Sequence, residues 1–187
     1  NPLFDLCKQM NEVCAERGIT ENSIKVAYYN HVPDWFDDAA WAQAAENFRQ
    51  GAIFARDAGF RGITLDIEYV GEMYNLDWSG YDSVAYTRKS DEEMLAKAEQ
   101  RGYEIMVAMI DEFPDMVNWH LPESVYAYGP IARTHVRGMI RALAERDAPG
   151  GFHISSEWTY QVVSPKGLLS YYAAVVNSMQ DLLDDEL

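Results

Sequence analysis

Aliphatic and polar side chains alternate along Gly59-Phe60-Arg61-Gly62-Ile63-Thr64-Leu65-Asp66-Ile67-Glu68-Tyr69. Successive side chains of an extended chain point to opposite sides. One side would carry Ile63, Leu65 and Ile67, and the other would carry Thr64, Asp66 and Glu68. The alternation therefore predicts a strand with one apolar and one polar face. Helical patterns at Trp41 to Ala58 and at Asp91 to Arg101 predict that helices cover the apolar face.

The polar face of this strand must point away from those helices. In a barrel that direction is the interior, and active sites are built at the carboxyl ends of barrel strands. Asp66 and Glu68 stand at that end, with carboxyl groups expected within about 7 Å of each other. Repulsion between like charges at that distance favours a proton on one of the two groups, which suits a general acid. The alternative is that both carboxylates face solvent at a strand end.

Composition and charge limit the classes of function. The chain of 187 residues is 48% hydrophobic and 13% aromatic, so residues 1–187 are expected to form a single α/β domain and not a disordered chain. A net charge of -15 argues against binding to nucleic acid or to an anionic membrane. No apolar run is long enough for a membrane span. Cys7 and Cys14 are expected to be reduced, buried packing residues, and no cofactor is expected.

The periodicity of the chain predicts the order α-βα-βα-βα-βα. Helices are expected at Leu3 to Arg17, Trp41 to Ala58, Asp91 to Arg101, Pro130 to Ala144 and Leu168 to Leu183, and strands at Ile24 to Tyr29, Ile63 to Glu68, Tyr103 to Ile110 and Gly151 to Trp158. Such alternation indicates a parallel sheet, either open and doubly wound or part of a (β/α)₈ barrel. The polar strand faces favour the TIM-barrel-like fold, of which four units would be half.

Two further acidic residues are candidates for a second carboxylate. Glu157 would share a face of the fourth strand with His153 and Ser155, and Asp111 would end the third strand. The adjacent Glu112 would point to the opposite side. The structural alternative for His153 is a hydrogen-bonded core histidine.

Aromatic and histidine side chains near the strand ends are candidates for substrate binding. They are Tyr29, His31, Tyr69, Trp78, His153 and Trp158, with Tyr81, Trp119, Tyr126 and Tyr128 in similar positions. Exposed aromatic rings beside carboxylates suit stacking against sugars, which have apolar faces. Local loop packing is the alternative for each of them. No metal-ligand spacing is present, and no metal site is expected.

The stretch from Phe60 to Glu68 resembles the fourth-strand signature of the family 18 chitinases, a hydrophobic residue followed by D-G-x-D-x-D-x-E. Arg61 and Thr64 stand where that family has Asp. The resemblance implies a (β/α)₈ barrel in which Glu68 protonates the glycosidic oxygen and Asp66 orients the N-acetyl group of the substrate. The stretch is also similar to strands of other barrel glycosidases, including the polygalactosaminidase-like family.

We therefore expect a glycoside-hydrolase-like enzyme that cleaves glycosidic bonds in a neutral or amino-sugar-containing carbohydrate by carboxylate acid/base chemistry. Glu68 would be the acid, Asp66 its electrostatic partner, and Glu157 or Asp111 the second carboxylate. One alternative is a metal-dependent sugar isomerase or lyase built on Asp66, Glu68, His153 and Glu157. The other is a catalytically silent carbohydrate-binding barrel.

Overall fold

The computed structural model describes residues 1–29, 32–68, 89–121, 129–155 and 157–184. Within these ranges the α-helices are α1 (Pro2–Glu16), α2 (Asp38–Asp57), α3 (Asp91–Ile110), α4 (Pro130–Glu145) and α5 (Pro165–Asp184). The strands are β1 (Ser23–Tyr29), β2 (Gly62–Glu68), β3 (Val117–Leu121) and β4 (Phe152–Ile154), and a 3₁₀ helix (Glu157–Gln161) follows β4. The alternation of helices and strands confirms the α/β class.

The four described strands form one parallel sheet in the order β1-β2-β3-β4. Strands that follow one another in the chain are therefore neighbours in the sheet, whereas a doubly wound sheet changes direction at a switch point. Helix α2 contacts β1 and β2, and the pairs α2 and α3, α3 and α4, and α4 and α5 are also in contact. The helices thus follow the chain order in a row beside the sheet.

The predicted alternation of β2 is confirmed. Ile63, Leu65 and Ile67 are completely or almost completely buried, in one core cluster with methionines of α3 and α4. The strand register aligns these residues with the other side chains of the helix-covered face, which are Ile24, Val26, Tyr28, Asn118, His120, Phe152 and Ile154. The opposite face of the sheet, called the open face below, carries the polar side of β2.

Several predicted helix ends are confirmed. The side chain of Asp37 accepts a hydrogen bond from the backbone N–H of Ala40 and caps α2. Ser90 and Glu93 form the expected capping box at the start of α3, and Pro130 opens α4. Capping chemistry is local, and the sequence was therefore sufficient to locate these ends.

The prediction of a strand at Tyr103 to Ile110 is wrong, because α3 continues through Gly102 to Ile110. A short apolar run is compatible with a strand or with a buried helix. Gly102 directly follows the predicted end of the helix at Arg101, but its role is in packing between helices. A side-chain carbon at Gly102 would collide with the backbone oxygen of His135 in α4. The glycine therefore lets α3 and α4 approach closely.

The third strand is Val117–Leu121, in a segment that was predicted to be a loop. Its helix-covered face carries Asn118 and His120, both fully buried, so the strand lacks the apolar alternation that would have revealed it. Asp111 consequently does not end a strand. It is the C-cap of α3 and forms an ion pair of 2.7 Å with Arg146.

The fourth strand is shorter than predicted and ends at Ile154. Glu157 and Trp158 belong to the 3₁₀ helix that follows it. The prediction that His153, Ser155 and Glu157 share one strand face is therefore wrong for Glu157, because a 3₁₀ helix does not keep the two-residue period of a strand.

Neither cysteine forms a disulfide, as expected, but the prediction that both are buried is wrong. Cys7 packs against the core without being fully covered, and both Cys7 and Cys14 are partly exposed. Among the described helices, none combines the length and the apolar character that crossing a membrane requires.

Candidate functional site

The open face of the sheet presents a row of side chains that are neighbours in register. Lys25 of β1 is paired with Thr64 of β2, Thr64 with Trp119 of β3, and Trp119 with His153 of β4. Asp66 lies two residues further along β2, towards the carboxyl ends of the strands. We call these five residues the open-face site.

The carboxylate of Asp66 is at the centre of this site. The residue is only 5% exposed, although it lies on the face that the described helices leave uncovered. Lys25 forms an ion pair with the Oδ2 atom of Asp66, and the lysine side chain is itself 55% exposed. A buried carboxylate needs such a partner, because an isolated charge is costly to remove from water. The pair thus holds a fixed anion just below the protein surface.

A second polar contact joins β1 to β2, the strand that carries Asp66. The hydroxyl groups of Ser23 and Thr64 are 2.6 Å apart and share a hydrogen bond between β1 and β2. Thr64 is buried, so this bond satisfies a hydroxyl that water does not reach freely. The bond ties the two strands that carry Lys25 and Asp66.

Trp119 and His153 form the apolar part of the site. Their rings meet edge to face, with centroids 6.4 Å apart and an interplanar angle of 81°. Trp119 is 38% exposed and offers an indole surface to solvent. The Nε2 atom of His153 lies 3.0 Å from the carbonyl oxygen of Gly150. Because a carbonyl only accepts, Nε2 is the donor of this hydrogen bond.

Glu68, the predicted acid, is the last residue of β2, and its backbone is paired in register with Tyr29. The side chains of both residues lie outside the described part of the structure. By strand alternation, the position of Glu68 belongs to the same face as that of Asp66. The assignment of Glu68 as the acid and of Tyr29 as a binding residue stays a prediction.

Other predicted site residues are not brought together with Asp66 among the described residues. His31, Tyr69 and Trp78 lie outside the described ranges. Glu157 and Trp158 are described only as part of the 3₁₀ helix. Asp111 is removed from the site, because it precedes β3 and therefore lies towards the amino-terminal ends of the parallel strands.

Lys25 is the site residue that the sequence interpretation missed. The alternation of β1 places Lys25 on the face opposite to that of Ile24, Val26 and Tyr28. A lysine on a strand beside a strand that carries Asp66 was a signal of charge pairing. The register of the two strands, which sequence alone did not provide, was needed to use it.

Two buried histidines lie on the helix-covered side of the sheet and have structural roles. The ring of His135 donates from Nδ1 to the carbonyl oxygen of Ala98, at 3.0 Å, and its Nε2 accepts from the hydroxyl of Tyr28, at 3.1 Å. Burial lowers its pKa to about 4. Burial, together with the neighbouring His135, lowers the pKa of His120 to about 3. Both rings are neutral at neutral pH and belong to the core.

The groove between α2 and α3, of about 520 Å³, lies away from the open face. Its lining includes Asp38, Glu46, Arg49, Arg101 and Glu104. Arg101 forms ion pairs with Asp38 and Glu104, and Arg49 with Glu46. These charges are satisfied within the helix row, so the groove does not compete with the open-face site as a centre for chemistry.

Among the described residues, no group of three or more His, Cys, Asp or Glu side chains could hold a metal ion. The open-face site itself combines one carboxylate, one ammonium group, one imidazole and one indole. That set can bind a polyhydroxylated ligand through hydrogen bonds and ring stacking. No protein-family model matches the chain, and neither a curated protein nor a solved structure matches it significantly.

Proposed function

We propose that this chain binds a carbohydrate on the open face of its sheet and cleaves a glycosidic bond there. The observation that carries this proposal is that the buried carboxylate of Asp66 and the exposed indole of Trp119, on the neighbouring strand, belong to the same face of the sheet. Sugars present hydroxyl groups at their edges and apolar C–H groups on their faces. A charged acceptor next to a flat apolar surface is complementary to both.

The fold proposed for this activity is a (β/α)₈ barrel of which the described strands form a part. The sequential parallel order of the strands supports it, because barrel strands follow one another around the ring in this way. The polar groups of β2 lie on the face that would line the barrel interior. The carboxyl-terminal position of Asp66 and Glu68 on β2 agrees with the usual location of barrel active sites.

The two carboxyl groups would have different roles. Lys25 gives Asp66 a counter-charge, which suits Asp66 to the role of a fixed anion. Glu68 follows two residues later, and a neighbouring negative charge favours a proton on it. Glu68 would donate that proton to the glycosidic oxygen as its bond to the anomeric carbon breaks, and Asp66 would stabilise positive charge that develops on the sugar ring. Water would then add to the anomeric carbon and lose its proton to the Glu68 carboxylate, which completes the hydrolysis.

The test compares the parent chain with Glu68→Gln and Trp119→Ala on a panel of aryl glycosides and oligosaccharides. Glu68→Gln keeps the shape of the side chain and removes the proton, so we expect turnover to fall by about 10² to 10⁴ while binding is retained. Trp119→Ala should weaken binding of the sugar, measured by NMR titration. Lys8→Met, at an exposed position on α1, is the control and should change neither quantity. Turnover by Glu68→Gln at the parental rate would exclude Glu68 as the acid.

A second candidate is a carbohydrate-binding module without turnover. The ion pair between Lys25 and Asp66 favours it, because a carboxylate already engaged by an ammonium group is a weaker stabiliser of new positive charge. In that case the NMR titration detects binding that depends on Trp119, and no member of the panel is hydrolysed. Activity that follows added divalent metal would instead indicate the metal-dependent isomerase or lyase.

A further inference from the structure

Helix α5 has an outer surface that is apolar and uncharged. Leu168, Leu169, Tyr172 and Val176 are between 39% and 68% exposed. From Gly167 to Gln180 the helix contains no charged residue. A helix that faces water normally carries charges on its outer side, and a helix without them is normally covered. The outer surface of α5 therefore has the character of an interface.

Helix α1 has a second exposed apolar surface. Leu3, Leu6, Met10 and Val13 are between 43% and 63% exposed, and they follow one another at intervals of three, four and three residues. We call these four residues the α1 stripe. A neighbouring side of α1 packs on the protein core through Phe4 and Cys7. The α1 stripe is thus an exposed apolar surface that takes no part in the core contacts of α1.

These two surfaces lie at the two ends of the row of helices. Helix α1 packs on α2, where the rings of Phe4 and Phe54 meet edge to face with centroids 5.5 Å apart. The side-chain amide of Asn11 also donates to the carbonyl oxygen of Ala58, at 2.9 Å. Helix α5 contacts α4 at the other end of the row. Helices α2, α3 and α4 therefore lie between the two surfaces in the row.

The apolar residues of the two surfaces recur at similar intervals along their helices. Leu169, Tyr172 and Val176 of α5 follow one another at intervals of three and four residues, as the residues of the α1 stripe do. We call these three residues the α5 stripe. Side chains at such intervals form one face of a helix and pack between the side chains of a second helix of the same kind.

We propose that a second copy of this chain packs its α1 stripe against the α5 stripe. Both halves of the contact are present on one chain, at opposite ends of the helix row, so a second copy related by a two-fold axis makes the contact twice. Each contact joins different surfaces, and the pair of contacts closes the assembly. The charge distribution supports this choice. In a chain with a net charge of -15, the uncharged surface of α5 is where a second acidic copy meets least repulsion.

The test measures mass in solution by sedimentation equilibrium at physiological salt, where repulsion between distant charges is screened over about 8 Å. The parent chain is expected to have twice the mass of one copy. An α1 variant, Leu6→Glu with Met10→Glu, and an α5 variant, Leu169→Glu with Tyr172→Glu, should each be monomeric. A control variant, Gln43→Glu with Asn47→Glu on the exposed side of α2, adds the same charge and should remain a dimer.

Mixing the two variants provides the sharper test. A dimer of one α1 variant and one α5 variant keeps one contact with both stripes unaltered, so the mixture should recover a dimer that neither variant forms alone. Circular dichroism of each variant should show parental helix content, because the altered side chains are exposed.

Three results would overturn the proposal. The first is a parent chain that is monomeric at high micromolar concentration. The second is an α1 variant that stays dimeric while the α5 variant dissociates, which would mean that α5 pairs with its own copy. The third is a mixture that stays monomeric.

Discussion

At the scale of single residues, His135 shows how burial fixes a charge state. Its ring lies among Tyr28, Trp35 and Trp41, and its two nitrogens are both used in hydrogen bonds. A proton added at Nε2 would remove the acceptor that the hydroxyl of Tyr28 needs. The low pKa of His135 is therefore a property of the folded core, and it connects stability to pH.

Stability should decrease in acid because of this histidine. Its pKa is about 4 in the folded chain, against 6.5 for an ordinary histidine. Between these pH values the unfolded chain binds the proton more readily than the folded chain does. The contribution of His135 to the free energy of unfolding is therefore complete above about pH 6.5 and is lost as pH falls towards 4. The loss is about 3 kcal/mol for His135. Urea unfolding of the parent and of His135→Gln across this range would measure it.

We expect His135→Gln to be less stable at pH 7 but to lose less stability between pH 6.5 and pH 4 than the parent does. An equal pH dependence in His135→Gln and in the parent would mean that another group is responsible.

At the scale of secondary-structure elements, the contact between α3 and α4 depends on two glycines. Side-chain carbons at Gly102 and Gly138 would collide with the backbone oxygens of His135 and Glu99, respectively. Close helix approach of this kind leaves no room for a methyl group, and overpacking a core typically costs about 1 to 3 kcal/mol.

Gly102→Ala should therefore lower the free energy of unfolding by about 1 to 3 kcal/mol or more. Gly51→Ala is a matched control in α2, because its new methyl group would meet the side chain of Val26 at an ordinary distance of 3.7 Å. That substitution should be neutral or stabilising by up to about 1 kcal/mol, since alanine favours a helix more than glycine does. Chemical denaturation would compare the two, and equal stability would contradict the packing role of Gly102.

The same contact shows what sequence could and could not predict. The strand β2 was predicted correctly because its alternation is local, and the ends of α2 and α3 near Asp37 and Ser90 follow from local capping chemistry. The extent of α3 was not predicted, since the meaning of Gly102 depends on a helix distant in sequence. The strand β3 was missed because Asn118 and His120 are buried polar residues, which single-sequence periodicity places outside a core.

The candidate site was also predicted only in part. Asp66 was placed on the polar face of β2 from alternation alone, and the structure bears out that placement. Its partner Lys25 and its neighbour Trp119 depend on the register between strands, which the sequence did not determine.

At the scale of the whole molecule, charge is the property that would select a ligand. The chain has 30 acidic and 15 basic residues, while on the open face the charge of Asp66 is paired with that of Lys25. A concave site within a negative potential concentrates cations and excludes anions. Such a field is screened by salt, with a Debye length of about 30 Å at 0.01 M and about 3 Å at 1 M.

Amino sugars should therefore bind more tightly than neutral sugars, and neutral sugars more tightly than uronic acids. The advantage of amino sugars should shrink as salt is added. Titration of amino, neutral and uronic oligosaccharides of equal length, at low and at high salt, would measure both trends. Neutral oligosaccharides are the internal control, since their affinity should hardly change with salt. Tighter binding of uronic acids would show that Lys25, and not the net charge of the chain, dominates the field at the site. A salt-independent preference for amino sugars would instead place the selection in direct short-range contacts, with Asp66 as the first carboxylate to examine by the substitution Asp66→Asn.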